Sequence, residues 1–219
     1  MAGRDLIERI SVRARFERFP ATVKGAFILR GEDGDPHQVE LRGGTVVGLG
    51  SHVRVAMPVP PASLDVAPRR DIFVPFEVPL GELEPGWYTL EADLEVDGTA
   101  QAFDGGRRFS VPWPRATVRR GQVKIDRQLE VGEVRVRVEQ LDLGGDSAKL
   151  HVRVEPPEPV TVRLWGDDDP LAVLEVEQDD AGRTKVTSYP VMRTCETVRI
   201  ELKGRSRGAE GSLEVPLPH

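Results

Sequence analysis

The chain has 219 residues, enough for one large or two ordinary domains. Hydrophobic residues make up 39% and charged residues 30%, the makeup of a soluble globular protein; at 5% aromatics its core must rest on Val, Leu, Ile and Ala. The net charge of −6 is spread over the chain, with 13 Lys and Arg against 17 Asp and Glu up to Pro114 and 17 against 19 after it, so neither half concentrates the positive charge that a nucleic-acid groove needs.

Taken in chain order, the first residues offer one short helical candidate, Asp5 to Ile10, leading into a run of alternating polarity. In RISVRARFERF, Ile10, Val12, Ala14 and Phe16 share one face, and Arg9, Arg13, Arg15 and Glu17 the other. That period of two belongs to a strand with one buried side. A polar turn at Gly31–Pro36 follows. In RGGTVVGLGS, Gly43, Gly44, Gly48 and Gly50 suit twist, a bulge or close approach of another backbone. No helix follows them to hold phosphate. The excursion MPVPPASLDVAPRRD is too rich in proline for a central strand.

EPGWYTLEADLEVDG begins at a Pro85-Gly86 turn, alternates through Leu90, Ala92, Leu94 and Val96, and closes on Asp97-Gly98, a hairpin signal. Parity puts Tyr88 with the buried row and Trp87 with the acidic row of Glu91, Asp93 and Glu95. In FSVPWPRATVRRGQV, Pro112 and Pro114 flank Trp113, making a stiff, extended boundary. It divides the chain into domains at 1–114 and 115–219, with roughly seven strands each. In the second, VRVRVEQLDL alternates through Val134, Val136 and Val138 and slips at Gln140-Leu141, where a bulge is expected. KLHVRVE and TVRIELKG continue the pattern. No repeat relates the halves, so two sandwiches of different layout are expected.

The Tyr88 stretch resembles the tyrosine corner of immunoglobulin-like domains, in which a Tyr entering the penultimate strand turns its hydroxyl onto nearby backbone. The resemblance implies an all-β protein of two antiparallel, immunoglobulin-like β-sandwiches in tandem. More loosely, VKGAFILRG and DIFVPFEVPLGELEPGWYTLEADL are similar to strands in the amino-terminal half of arrestin-like proteins, which are also two sandwiches in series. The buried charged core of arrestins has no match here.

Residues able to do chemistry are few. His37 and His52 belong to turns, His151 to the wet face of a strand, and His219 is the last residue. None has zinc-ligand spacing, and all are expected to be solvated. Cys195, the sole cysteine, is expected to pack as a small apolar residue. A hydrolase would need His37 or His151 against a nucleophile, and no nucleophile motif is present. The acidic turns Asp167-Asp168-Asp169 and Asp179-Asp180 suit a hard cation, with Asp167 and Asp169 the metal-ligating candidates, but they also suit Asp residues capping their own backbone. If Leu171 to Glu177 is one strand, the two turns lie at its opposite ends.

The expectation is therefore a non-catalytic binding or scaffolding protein without cofactor. It would recognise another protein, or a second copy of itself, through loops, an edge strand or an interdomain groove, with Trp87, Trp113 and Trp165 as anchors. The alternative is an accessory carbohydrate- or calcium-binding sandwich of an enzyme system. With one cysteine, no export signal at the start of this sequence and no apolar run of membrane-spanning length, a cytoplasmic location away from membranes is expected.

Overall fold

The computed structural model describes residues 10–50, 53–57, 59, 61–206 and 208–218, with backbone alone at 102 and 104–106. Positions 5–9 of the helical candidate, His52 and His219 lie outside the described residues. The chain divides into two compact units, Met1–Val111 and Pro112–His219.

Among the described residues the first unit has eight strands: β1 (Ile10–Arg18), β2 (Thr22–Gly31), β3 (His37–Gly48), β4 (Arg54–Met57), β5 (Ala62–Val66), β6 (Asp71–Pro79), β7 (Gly86–Val96) and β8 (Thr99–Val111). One sheet runs β1-β2-β6; the other runs β4-β3-β7-β8, with β5 also on β3. All the pairings are antiparallel. This interleaving, with β2 beside β6 and β3 beside β7 in opposite sheets, is the immunoglobulin kernel. The proline-rich excursion supplies only β5, which pairs with the first half of β3 while β4 pairs with the second. Inward residues of both sheets meet in one core, and the chain's scarce aromatics gather there. Phe16 meets Phe109 edge-on at 5.7 Å, Tyr88 stacks on Phe109 at 5.7 Å, and Phe27 lies 5.0 Å from Phe76.

The second unit adds β9 (Gly121–Val131), β10 (Val134–Leu143), β11 (Ala148–Glu155), β12 (Thr161–Gly166), β13 (Asp169–Leu171), β14 (Val173–Gln178), β15 (Arg183–Ser188), β16 (Thr197–Lys203) and β17 (Glu210–Pro216). Its sheets run β14-β15-β11-β10-β9 and β13-β12-β16-β17. The same kernel recurs, with β11 beside β15 and β12 beside β16, but β9 is added at one edge and β14 at the other. Its core is wholly aliphatic apart from Cys195. The stretch Leu171 to Glu177 is not one strand: it crosses from one sheet to the other at Ala172, between β13 and β14. The bulge in β10 falls between Val138 and Gln140, a residue earlier than the hydrophobic slip suggests. Opposite it on β9, Asp126 takes a left-handed φ of 49° and pairs with Arg137.

The chain is thus all-β, two antiparallel immunoglobulin-like sandwiches in tandem. Among the described residues the only helical element is a 3₁₀ turn, Leu80–Glu82. No helix among them is long and apolar enough to cross a membrane.

Candidate functional site

Tyr88 forms the corner that its sequence neighbourhood implies. Its hydroxyl donates to the Glu84 carbonyl at 2.8 Å while its ring is buried. Gly86 makes room for it, since a Cβ there would stand 3.3 Å from the ring.

The three tryptophans are each half-buried. Trp87, on the outer face of β7, sits opposite Ser110 of β8, and its carbonyl accepts the Leu49 N–H at 2.7 Å. Farther along that face Arg54 pairs with Glu91 and Arg42 with Glu95, so the acidic row is partly neutralised. Trp113 meets Tyr189 edge-on at 5.3 Å. Trp165 lies under the Arg199 guanidinium, 4.9 Å from the ring centre.

The acidic turns cap backbone. Asp167, at φ 50°, accepts the N–H of Thr197 at 2.9 Å and of Glu196 at 3.0 Å, and the Thr197 hydroxyl at 3.2 Å. These bonds, that of the Thr197 amide foremost, hold its carboxyl below the ordinary range. Asp169 opens β13, exposed and opposite Gly166. Asp179 accepts the N–H groups of Ala181 and Arg183 at 3.0 and 2.9 Å. Among the described residues no group of three or more His, Cys, Asp or Glu is placed to hold a metal ion.

His37 departs from the solvated turn residue expected of it. It is 5% exposed, with Nδ1 2.7 Å from Asp97 Oδ2 and Nε2 2.7 Å from Asp33 Oδ1. The bond to Asp97 raises its pKa against the opposing effect of burial. His151 is half-buried, with Nε2 2.8 Å from Asp142 Oδ2. Burial pushes the Asp142 carboxyl up, but the bonds from Gln122, His151 and Gln140 prevail and hold it low. The ring-nitrogen bonds of both histidines are to carboxylates; no Ser, Thr or Cys bonds to them among the described residues. Cys195 packs in the core as expected, and burial pushes its thiol pKa up.

Large apolar side chains stand exposed elsewhere, and Phe73 of β6 is the most open at 60%. It faces Ile28 of β2, which is itself opposite Arg13 of β1. Ile28 is only 6% exposed yet lies outside the core, so it is covered from the outer side of the sheet. Phe19, 44% exposed at the β1–β2 turn, is the second wall of a notch of about 460 Å³, with Gly25, Ala26 and Ile28 on its floor and Arg15, Glu17 and Lys24 at its rim. Gly25 is obligatory, because a Cβ there would fall 2.3 Å from the Arg15 carbonyl oxygen. Lys24 pairs with Glu77 at 3.1 Å, while Asp71 takes Arg13 at 3.4 Å and Arg30 at 3.8 Å. Arg15 makes no ion pair among the described residues. The signal for Phe73 is present in DIFVPFEVP: Val74, Phe76 and Val78 are buried, which leaves an aromatic on the wet parity.

No protein-family model and no curated protein matches this chain. Among solved structures, it is similar to a conserved domain protein from Bacillus anthracis at 9% identity, over 95% of this chain and 86% of that one, with a TM-score of 0.30. Two marsupial T cell receptor structures are similar at 12% identity, over 96% and 94% of this chain and 62% and 64% of theirs, with TM-scores of 0.28 and 0.27. Likenesses this slight carry no argument about function. The class, a tandem immunoglobulin-like β-sandwich protein, rests on the strand order.

Proposed function

We propose that this chain is a non-catalytic recognition protein that docks a protein partner on the outer face of the β1-β2-β6 sheet. A partner's apolar side chain enters the notch between Phe19 and Phe73, and Arg15 takes an adjacent carboxylate. The observation that carries this is Phe73, 60% exposed over a second apolar side chain, Ile28, that no core residue covers. A partly desolvated aromatic beside a cation is what interface anchors are made of.

Recognition by the face suits β6 better than strand addition at its edge. Pro75 and Pro79 share one parity, so both fit the set of residues whose backbone points away from β2. An added strand would find two donors missing, which blunts the edge. Anchoring by the three tryptophans has less support, since each is half-covered. The accessory carbohydrate- or calcium-binding alternative loses support for the same reason and because Asp167 is occupied by backbone donors. A cytoplasmic location without nucleic-acid or membrane partners remains part of this proposal.

The test is panning of a random peptide library against the full chain. The expected result is enrichment of peptides with an aromatic or aliphatic residue next to Asp or Glu, whose binding is lost in Phe73→Asp and Phe19→Ser. Enriched peptides that bind both variants undiminished would sink the proposal. A wild-type dimer in sedimentation that Phe73→Asp dissolves would identify the partner as a second copy.

A further inference from the structure

A different surface, in the second unit, collects arginines. Arg119 is half-buried, with Nε donating to the Cys195 carbonyl at 2.9 Å and Nη1 to the Pro218 carbonyl at 2.5 Å. The backbone around it is fixed: its N–H donates to Val191 at 2.9 Å, that of Arg193 to Thr117 at 2.8 Å, and Val118 bridges Met192 between them. Arg119, opposite Val191, and Arg193, opposite Thr117, therefore lie diagonally on the same face of the paired segments. Arg115 and Arg120 line the same cleft of about 650 Å³, and no carboxylate is among its lining residues.

What sets these four apart is that they share one cleft, since arginines without an ion pair, Arg15 among them, occur elsewhere too. Nine arginines (13, 30, 42, 54, 135, 137, 153, 183 and 199) have an Asp or Glu within ion-pair distance, in a chain with six more acids than bases. Arg115, Arg119, Arg120 and Arg193 have none among the described residues. Among the described residues the half-buried Arg119 guanidinium donates to carbonyl oxygens alone, which orient its fork without neutralising it. Four guanidiniums around one cleft repel one another unless an anion joins them. Planar forks match phosphate oxygens in pairs, and a ligand with several phosphates supplies the charge that four cations require. We infer that this cleft binds a ligand bearing two or more phosphate groups.

Calorimetric titration of the full chain with inorganic tripolyphosphate at about 0.05 M ionic strength tests this, with citrate as the polycarboxylate arm. The expected result is saturable one-to-one binding that weakens markedly by about 0.5 M salt, where screening is short-ranged. Citrate should bind at least ~10-fold more weakly, and Arg193→Gln or Arg115→Gln should lose ~10-fold each, roughly one charge-assisted bond. Arg54→Gln in the first unit should change nothing. Because Arg119→Gln removes two bonds that hold the fold, the exposed Arg115 and Arg193 carry the test. Absence of saturable tripolyphosphate binding, equal binding by the Arg115→Gln/Arg193→Gln double variant, or citrate binding as tightly as tripolyphosphate would each overturn the inference. The notch at Phe73 plays no part in it, so either can fail alone.

Discussion

His37 and Asp97 are 60 residues apart in sequence, yet Nδ1 of the one stands 2.7 Å from Oδ2 of the other. Asp97 also receives the Gln38 N–H at 3.0 Å on its second oxygen. On the far side of the ring, Asp33 closes the clasp at 2.7 Å. One buried imidazole thus ties the β2–β3 loop to the β7–β8 turn.

The clasp makes the first unit's stability depend on pH. Its carboxylates raise the His37 pKa above 6.5, and Glu32 and Asp35 in the same loop add negative charge. A group whose folded pKa exceeds its unfolded one stabilises fully below the unfolded value, about 6.5, and its contribution fades as pH rises through the folded value. Urea denaturation of wild type and His37→Gln should therefore differ more at pH 6 than at pH 9. An NMR titration placing His37 at or below 6.5 would refute it.

At the tyrosine corner, Tyr88→Phe removes one hydroxyl and keeps the packed ring. The Glu84 carbonyl loses its 2.8 Å donor, at a cost of about 1 kcal/mol. Urea unfolding should show a lower midpoint and an unchanged slope, since the same surface is exposed. A change below about 0.3 kcal/mol would mean that water replaces the hydroxyl without loss.

What was legible in the sequence had a short range. Strand parity put Ile10, Ala14 and Phe16 inward, and the Pro85-Gly86 turn just upstream was enough to mark Tyr88. His37 was not legible, because its burial depends on Asp97, and a histidine in a polar loop looks the same whether solvated or clasped. The switch of sheets at Ala172 is equally silent, since Leu171 to Leu174 is an unbroken apolar run with no turn signal to mark the crossing. Phe73 carries a signal that the strand reading passed over, an aromatic on the wet parity, and its place over Ile28 needs the β2–β6 register; the arginine cleft needs the pairing of Thr117–Arg119 with Val191–Arg193.

Phe73 and Phe76 lie three residues apart on β6 and face opposite sides of the sheet, which gives a paired prediction. Phe73→Ser should change stability by no more than about 0.5 kcal/mol, because its ring is largely in water already. Phe76→Ala removes a core ring packed on Phe27 and should cost about 3–5 kcal/mol. Chemical denaturation of both variants decides it. A large loss from Phe73→Ser would make the exposed aromatic a fold element and remove the basis for docking there.

Asp167 separates a capping carboxylate from a calcium ligand. Its folded pKa lies below the ordinary 3.8, so its stabilisation is present above that value and is lost as pH falls through the folded one. Asp167→Asn, which keeps the size but weakens acceptance from Thr197 and Glu196, should destabilise the chain at pH 7, and the difference should close as pH drops well below 3.8. Because the carboxylate already serves backbone donors, millimolar Ca²⁺ should leave the melting temperature of wild type and variant alike unchanged. A calcium-dependent rise in wild type that Asp167→Asn abolishes would return this turn to the metal sites, with Asp169 as its neighbouring ligand.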